Sequence, residues 1–137
     1  MIFDPSMPTS QIQTAVDAIA AQQISNQFGT QRYALLFMPG TYGTSDTPLK
    51  FQVGYYTAVA GLGSSPNDVV INGSIDVYNQ CDASGCVALN NFWRSRSNLT
   101  INVTNPTFGC HKGEFWAVSQ AAPMRRVHIN GLATRMD

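Results

Sequence analysis

At 137 residues the chain is one domain's worth of protein, long enough to bury a sizeable core. Hydrophobic residues make up 44% and charged residues only 12%, about half the usual charged share of ~25%, which disfavours a helical bundle with its Glu/Lys/Arg surface. Eight basic residues balance eight acidic ones, so no net field marks nucleic acid or an anionic membrane as a partner.

Low charge with many Asn, Gln, Ser, Thr and Gly suits a β-rich, extracellular protein. No run of about 18 apolar residues exists to cross a bilayer. The start "MIFDPSMP" lacks the basic and apolar regions of a signal peptide, so a secreted protein would carry its signal outside this chain.

In chain order, residues 9–27 contain the one convincing helix. Thr9 or Ser10 can cap it, Ile12, Ala15, Val16 and Ile19 form one apolar stripe, and Gly29 is expected to end it. A strand at residues 34–38 stops at Pro39-Gly40, where a ladder donor is lost and a turn is allowed. Further strands are expected at about 49–53 and 55–60, with "GLGSSPND" as a loop. Cys81 and Cys86 bracket "DASG", a loop that a small disulfide could close. Cys110 is then left over, and three reduced, buried cysteines are the alternative.

From there the chain repeats itself. "VVING" at 69–73 returns as "LTINV" at 99–103 and "VHING" at 127–131. Ile71 and Ile101 are 30 residues apart, and Ile101 and Ile129 are 28 apart. Units of that length, without helical periodicity, signal an array that buries its faces only by stacking. The pattern predicts a parallel β-solenoid. The first and third residues of each triplet point inward, and Val70, Thr100 and His128 point outward. Asn72, Asn102 and Asn130 then stack at a corner, where the amides hydrogen-bond along the stack and tolerate a left-handed bend.

The helix and the segments "RYALLFMPGTYG", "VAGLG" and "DVVING" together resemble the N-terminal cap and first coils of pectate lyase-like, right-handed parallel β-helix proteins. The chain looks like the start of large secreted bacterial members of undefined activity. That resemblance implies an all-β, right-handed parallel β-helix of about three to five coils over residues 1–137. The capping helix covers about 9–27, the coils cover about 33–137, and the whole is the N-terminal part of a longer β-helix. It also implies a carbohydrate-active protein, a glycoside hydrolase or polysaccharide lyase acting on a polysaccharide or oligosaccharide. The alternative is a non-catalytic glycan-binding or structural solenoid.

Glycoside hydrolysis needs two carboxylates about 5 to 9.5 Å apart. Asp4 and Asp17 belong to the cap, Asp46 and Asp68 to turns, Asp82 to the cysteine loop and Asp137 to the chain end. Asp76, which alternates outward in "SIDVY", and Glu114 remain as the candidate catalytic pair. Tyr78, Trp93, Arg94 and Trp116 are the candidate substrate-binding residues, with aromatic rings as a glycan platform. The alternative places alternate aromatics among Tyr55, Tyr56, Tyr78, Phe92, Trp93, Phe115 and Trp116 inside the solenoid. Arg94, Arg96, Arg125 and Arg126 offer cations for a lyase, yet they read as a solvated coil edge. His111 and His128 do not assemble a metal site, and no cofactor is expected.

After 131 only "LATRMD" follows. The lowest coil is therefore expected to present an open edge, inviting a homo-oligomer or continuation of a longer protein.

Overall fold

The repeated pentapeptide is where the backbone stacks on itself. In the computed structural model, which describes residues 1–104, 114–131 and the backbone of 134–135, residues 70–73 pair in parallel with 100–103. Residues 99–102 pair in turn with 127–130. Ile71, Ile101 and Ile129 thus occupy one column, as the spacing predicted.

Each turn of the resulting solenoid has three faces. The first contains β1 (Ile2–Phe3), β2 (Tyr33–Phe37), β5 (Thr57–Gly61), the start of β9 (Arg94–Val103) and the start of β11 (Met124–Asn130). The second holds β3 (Gly40–Tyr42), the first half of β6 (Val69–Asp76), the second half of β9 and the remainder of β11. On the third, β4 (Leu49–Gln52) pairs with the second half of β6. A bridge joins Val77 to Trp116 there, and β10 (Glu114–Phe115) pairs with β12 (Thr134–Arg135). The whole is a parallel β-solenoid of about three turns. Among the described residues one antiparallel hairpin, β7 (Gln80–Asp82) with β8 (Gly85–Val87), projects from it and is closed by a Cys81–Cys86 disulfide. Cys110 and His111 lie outside the described residues.

Strand alternation fills the interior. Leu49 and Phe51, Val69 and Ile71, and Leu99 and Ile101 are all buried, with Phe37, Val59, Ile75 and Val77 beside them. Each such side chain stabilises the fold by about 1.5–3 kcal/mol. Helix α1 (Thr9–Gln23) closes one end, packing against β4 and burying Ile12, Val16 and Ile19. It begins after Pro8 with no side-chain cap, and it stops at Gln23, well before Gly29. The stop has a reason: buried Gln23 donates through Nε2 to the carbonyls of Tyr55, at 2.8 Å, and Gln31. The side chain ties the helix end into the first turns.

The "PGTY" signature is a packing device. Gly40 has φ +146°, and a Cβ there would lie 2.6 Å from Pro5. The Tyr42 hydroxyl donates to the carbonyls of Phe3 and Met38, and burial pushes its pKa up to about 12. Gly61 of the "GLG" turn is needed because a Cβ would meet the Asn98 carbonyl oxygen at 2.1 Å.

The asparagine ladder forms as expected. Asn130 Nδ2 donates to Asn102 Oδ1, Asn102 Nδ2 to Asn72 Oδ1, each at 3.0 Å, and Asn72 Nδ2 to the Gly43 carbonyl. Its backbone differs from expectation. None of the three is left-handed; they lie within strands, and the left-handed corners fall elsewhere.

Those corners form two columns. Tyr56, Trp93 and Ala121, with φ of 56°, 56° and 52°, hold one position in successive turns. Asn98 and Arg126, with φ of 54° and 53°, hold another. Asn98 lies 37 residues beyond Gly61, its counterpart above, whereas Asn102 lies 30 beyond Asn72. The difference is the loop 62–68, replaced one turn later by the single corner Asn98. Asn98 Nδ2 donates to the carbonyls of Gly61 and Gly63 across that gap.

Two residues on outward faces are nevertheless buried. Thr100 is 5% exposed, its hydroxyl donating to the Pro66 carbonyl under the loop. Asp76, on the outer face of its strand with Ser74 and Tyr78, is covered too, at 4% exposed. Among the described residues β11 pairs on one side only, and its Val127 and Ile129 remain half-buried where Leu99 and Ile101 are fully buried.

Candidate functional site

The predicted residues fall into two groups. The first surrounds a buried arginine. Arg96 and Glu114 form an ion pair, both side chains fully buried. Arg96 Nη1 also donates to the Ile75 carbonyl at 3.0 Å, and its guanidinium carbon lies 4.3 Å from the Trp116 ring centroid. Asp76 sits alongside, held by its strand neighbours Ser74 and Tyr78 and by the backbone of Phe115 in the next turn. Oδ2 accepts from the hydroxyls of Ser74, at 2.6 Å, and Tyr78, at 3.0 Å, while Oδ1 accepts from the Phe115 N–H at 2.8 Å.

Asp76, Tyr78, Glu114 and Trp116 are therefore brought together, as a site would require. Their environment is that of a core. Burial raises the Asp76 carboxyl above its usual range, against those three hydrogen bonds and the charge of Arg96. Burial likewise raises the Tyr78 phenol, with the Asp76 charge adding to it. Desolvation lowers Arg96 to about 10, which leaves it cationic at neutral pH. Trp116 is 3% exposed, its indole N–H donating to the Ala122 carbonyl.

Only the Asp76–Tyr78 end reaches the surface. It does so in a pocket of about 250 Å³, shared with Gln13 and Asp17 of α1 and with Lys50 and Gln52 of β4. Among the described residues no cluster of His, Cys, Asp and Glu could hold a metal ion.

The second group lies around the first corner column. Trp93 is 56% exposed, at the edge of an open groove of about 370 Å³. Arg94 forms part of the groove's base but is itself 3% exposed. It donates through Nη1 to the Val53 carbonyl at 2.7 Å, and desolvation lowers it to about 10. Arg94 and Arg96 are thus interior residues, not a solvated edge.

Sequence reasoning missed Arg96 as the centre of the first group and Tyr56 as part of the second. A signal for Arg96 existed: "RSRS" alternates as a strand, with Arg on one face only. The left-handed corner at Asn98 then reverses which parity faces inward, so that Arg94 and Arg96 share the interior with Leu99 and Ile101.

Cap helix, three-faced parallel turns and an amide ladder define a capped β-solenoid. No protein-family model matches the sequence. The chain is 47% identical over 132 residues to an exo-beta-1,3-glucanase of Streptomyces sp. strain SirexAA-E, a match spanning 96% of this chain and 19% of that protein. The solved structure of sacteLam55A from Streptomyces sp. SirexAA-E aligns with a TM-score of 0.78 at 46% identity, over 96% of this chain and 21% of that one. A variant of sacteLam55A in complex with glucose gives 0.74 at 48% identity over the same shares. The chain therefore spans about a fifth of the length of the relatives it matches. No helix among the described residues is long and apolar enough to cross a membrane.

Proposed function

We propose that this solenoid serves a secreted, exo-acting β-1,3-glucan hydrolase, in which it is the capped scaffold and a contact surface for the glucan. The observation that carries this reading is the 47% identity to an exo-beta-1,3-glucanase across nearly the whole chain.

The identity to a glucanase favours hydrolysis over lyase chemistry within the pectate lyase-like resemblance, although Arg125 and Arg126 are exposed. A lyase base of the Lys or Arg type must reach the substrate, and Arg94 and Arg96 are buried and engaged with carbonyls. The geometry also redefines the two carboxylates. Glu114 is fully buried against Arg96, and both Asp76 oxygens accept hydrogen bonds. A general acid must come within about 2.6–3.2 Å of the oxygen it protonates. Asp76 and Glu114 then act as structural charges, and the acid and base come from elsewhere in the working enzyme.

A graft tests this. Residues 1–137 replace the matching segment of the Streptomyces glucanase, and soluble sugar released from linear β-1,3-glucan is measured. The expected result is hydrolysis within about tenfold of the parent rate, a barrier change of no more than ~1.4 kcal/mol. A folded graft that releases nothing, or that yields unsaturated sugars absorbing in the ultraviolet, contradicts the reading.

A further inference from the structure

We propose that the corner column Arg32–Tyr56–Trp93 is a docking strip for an extended glucan segment, apart from the bond-breaking site. This proposal rests on the β-1,3-glucan reading above.

The strip is built by register. Tyr33 lies over Thr57, and Thr57 over Arg94, so the residues just before them, Arg32, Tyr56 and Trp93, repeat at one corner in successive turns. The Arg32 guanidinium carbon sits 3.6 Å from the Tyr56 ring centroid, and the Tyr56 and Trp93 centroids are 6.4 Å apart with planes inclined at 37°. The Tyr56 N–H donates to the Trp93 carbonyl at 2.6 Å, fixing the step between them.

The choice of residues points to use. This corner requires φ near 56°, a region that disfavours residues with a Cβ and is most tolerated by Gly and Asn. At the other corner column the chain places Asn98, whose amide bonds across to the turn above, and then Arg126, whose guanidinium donates to the Ser64 carbonyl. Here it places Tyr and Trp. Folding alone does not call for an indole at this position. Trp93 is 56% exposed, and one turn lower Ala121 makes the same bend with φ 52°. Bulky residues held in a sparsely populated conformation point to a functional demand.

The groove also defines its ligand. The exposed Trp93 ring, backed by half-buried Tyr56, offers stacking for an apolar C–H surface. Tyr33 and Ser95 add hydroxyl groups to the lining, and no carboxylate lines the groove. Arg94 at its base is buried and already donates to the Val53 carbonyl. Arg32 at the top of the strip stacks on Tyr56 and donates to the carbonyls of Gly29 and Gln31. Both cations are thus engaged within the protein, and a neutral ligand fits better than a phosphate or an acidic sugar. A neutral pyranose, with a C–H face and a rim of hydroxyls, matches both features. Neighbouring turns lie about 4.8 Å apart, so successive rings descend along the solenoid axis and suit a chain of sugars better than one.

The test is calorimetric titration of the protein with a linear β-1,3-gluco-oligosaccharide, with glucose as the comparison. Trp93→Gly removes the ring and suits the corner, so its unfolding midpoint should equal or exceed that of the parent. Oligosaccharide affinity should fall at least about tenfold, the scale of one lost aromatic contact. Trp93→Phe should keep most of the binding, and glucose should bind more weakly than the oligosaccharide. An unmodified protein that does not bind the oligosaccharide, or a Trp93→Gly variant with unchanged affinity, overturns the strip. If the graft hydrolyses β-1,3-glucan while that binding is absent, the strip alone fails. If binding depends on Trp93 while the graft is inactive, the hydrolase reading alone fails.

Discussion

Replacing Arg96 with leucine is expected to cost about 3–5 kcal/mol of stability, among the largest effects of any single change in this chain. The reason is what remains. Glu114, fully buried, would lose its counter-ion and must either carry an uncompensated charge or take up a proton. Asp76 would lose the favourable charge of Arg96. The Ile75 carbonyl would also lose a donor at 3.0 Å, and Trp116 the guanidinium stacked on its ring. Arg96→Leu combined with Glu114→Leu should recover most of the loss, since a buried ion pair is often replaceable by apolar groups of similar volume. Denaturant unfolding of the two single variants and the double variant measures this. A cost below about 1 kcal/mol for Arg96→Leu would mean that the pair is solvated and not part of the core.

Ile101→Ala is expected to cost about 2–5 kcal/mol, the range for opening a cavity where an isoleucine is enclosed. Ile101 is fully buried between Ile71 above and Ile129 below. The stack cannot close over the hole without breaking ladder hydrogen bonds on both sides. Ile129→Ala should cost less, because Ile129 is only half-buried and its strand pairs on one side among the described residues. Thermal unfolding of the two variants would check the order. Equal losses would contradict a column that is closed in the middle and open below.

Much of this fold is legible in the sequence because a solenoid writes its geometry as repetition. The spacing of Val69, Leu99 and Val127 predicts the ladder, and the Asn at a fixed step predicts the amide stack that Asn72, Asn102 and Asn130 make. What is not legible follows from the corners. A single left-handed residue such as Asn98 shifts the inward parity by one. Alternation read straight through "RSRSNLTI" therefore puts the arginines on the wrong face.

The same limit applies to the candidate site. Asp76, Tyr78, Glu114 and Trp116 do converge, but Glu114 and Trp116 are held by Arg96, which composition alone marks as a surface cation. Asp76 looks outward when "SIDVY" is read as a plain strand. In the structure Ile75 and Val77 fill the core and Asp76 shares the other face with Ser74 and Tyr78, but that face is covered as well. Three donors make that burial tolerable for a carboxylate. Trp93 reads correctly as exposed, whereas the corner conformation that sets it on a strip with Tyr56 has no signature in a single sequence.

The most direct measurement is kcat for β-1,3-glucan hydrolysis by the grafted glucanase carrying Glu114→Gln or Asp76→Asn, normalised to the folded fraction. If Glu114 is a structural charge paired with Arg96 and Asp76 one held by Ser74, Tyr78 and the Phe115 N–H, kcat stays within about threefold of the unmodified graft while the unfolding midpoint falls. General acid–base groups contribute about 10²–10⁴-fold. A loss of that size in a variant that remains folded would show that Asp76 or Glu114 takes part in cleaving the glucan.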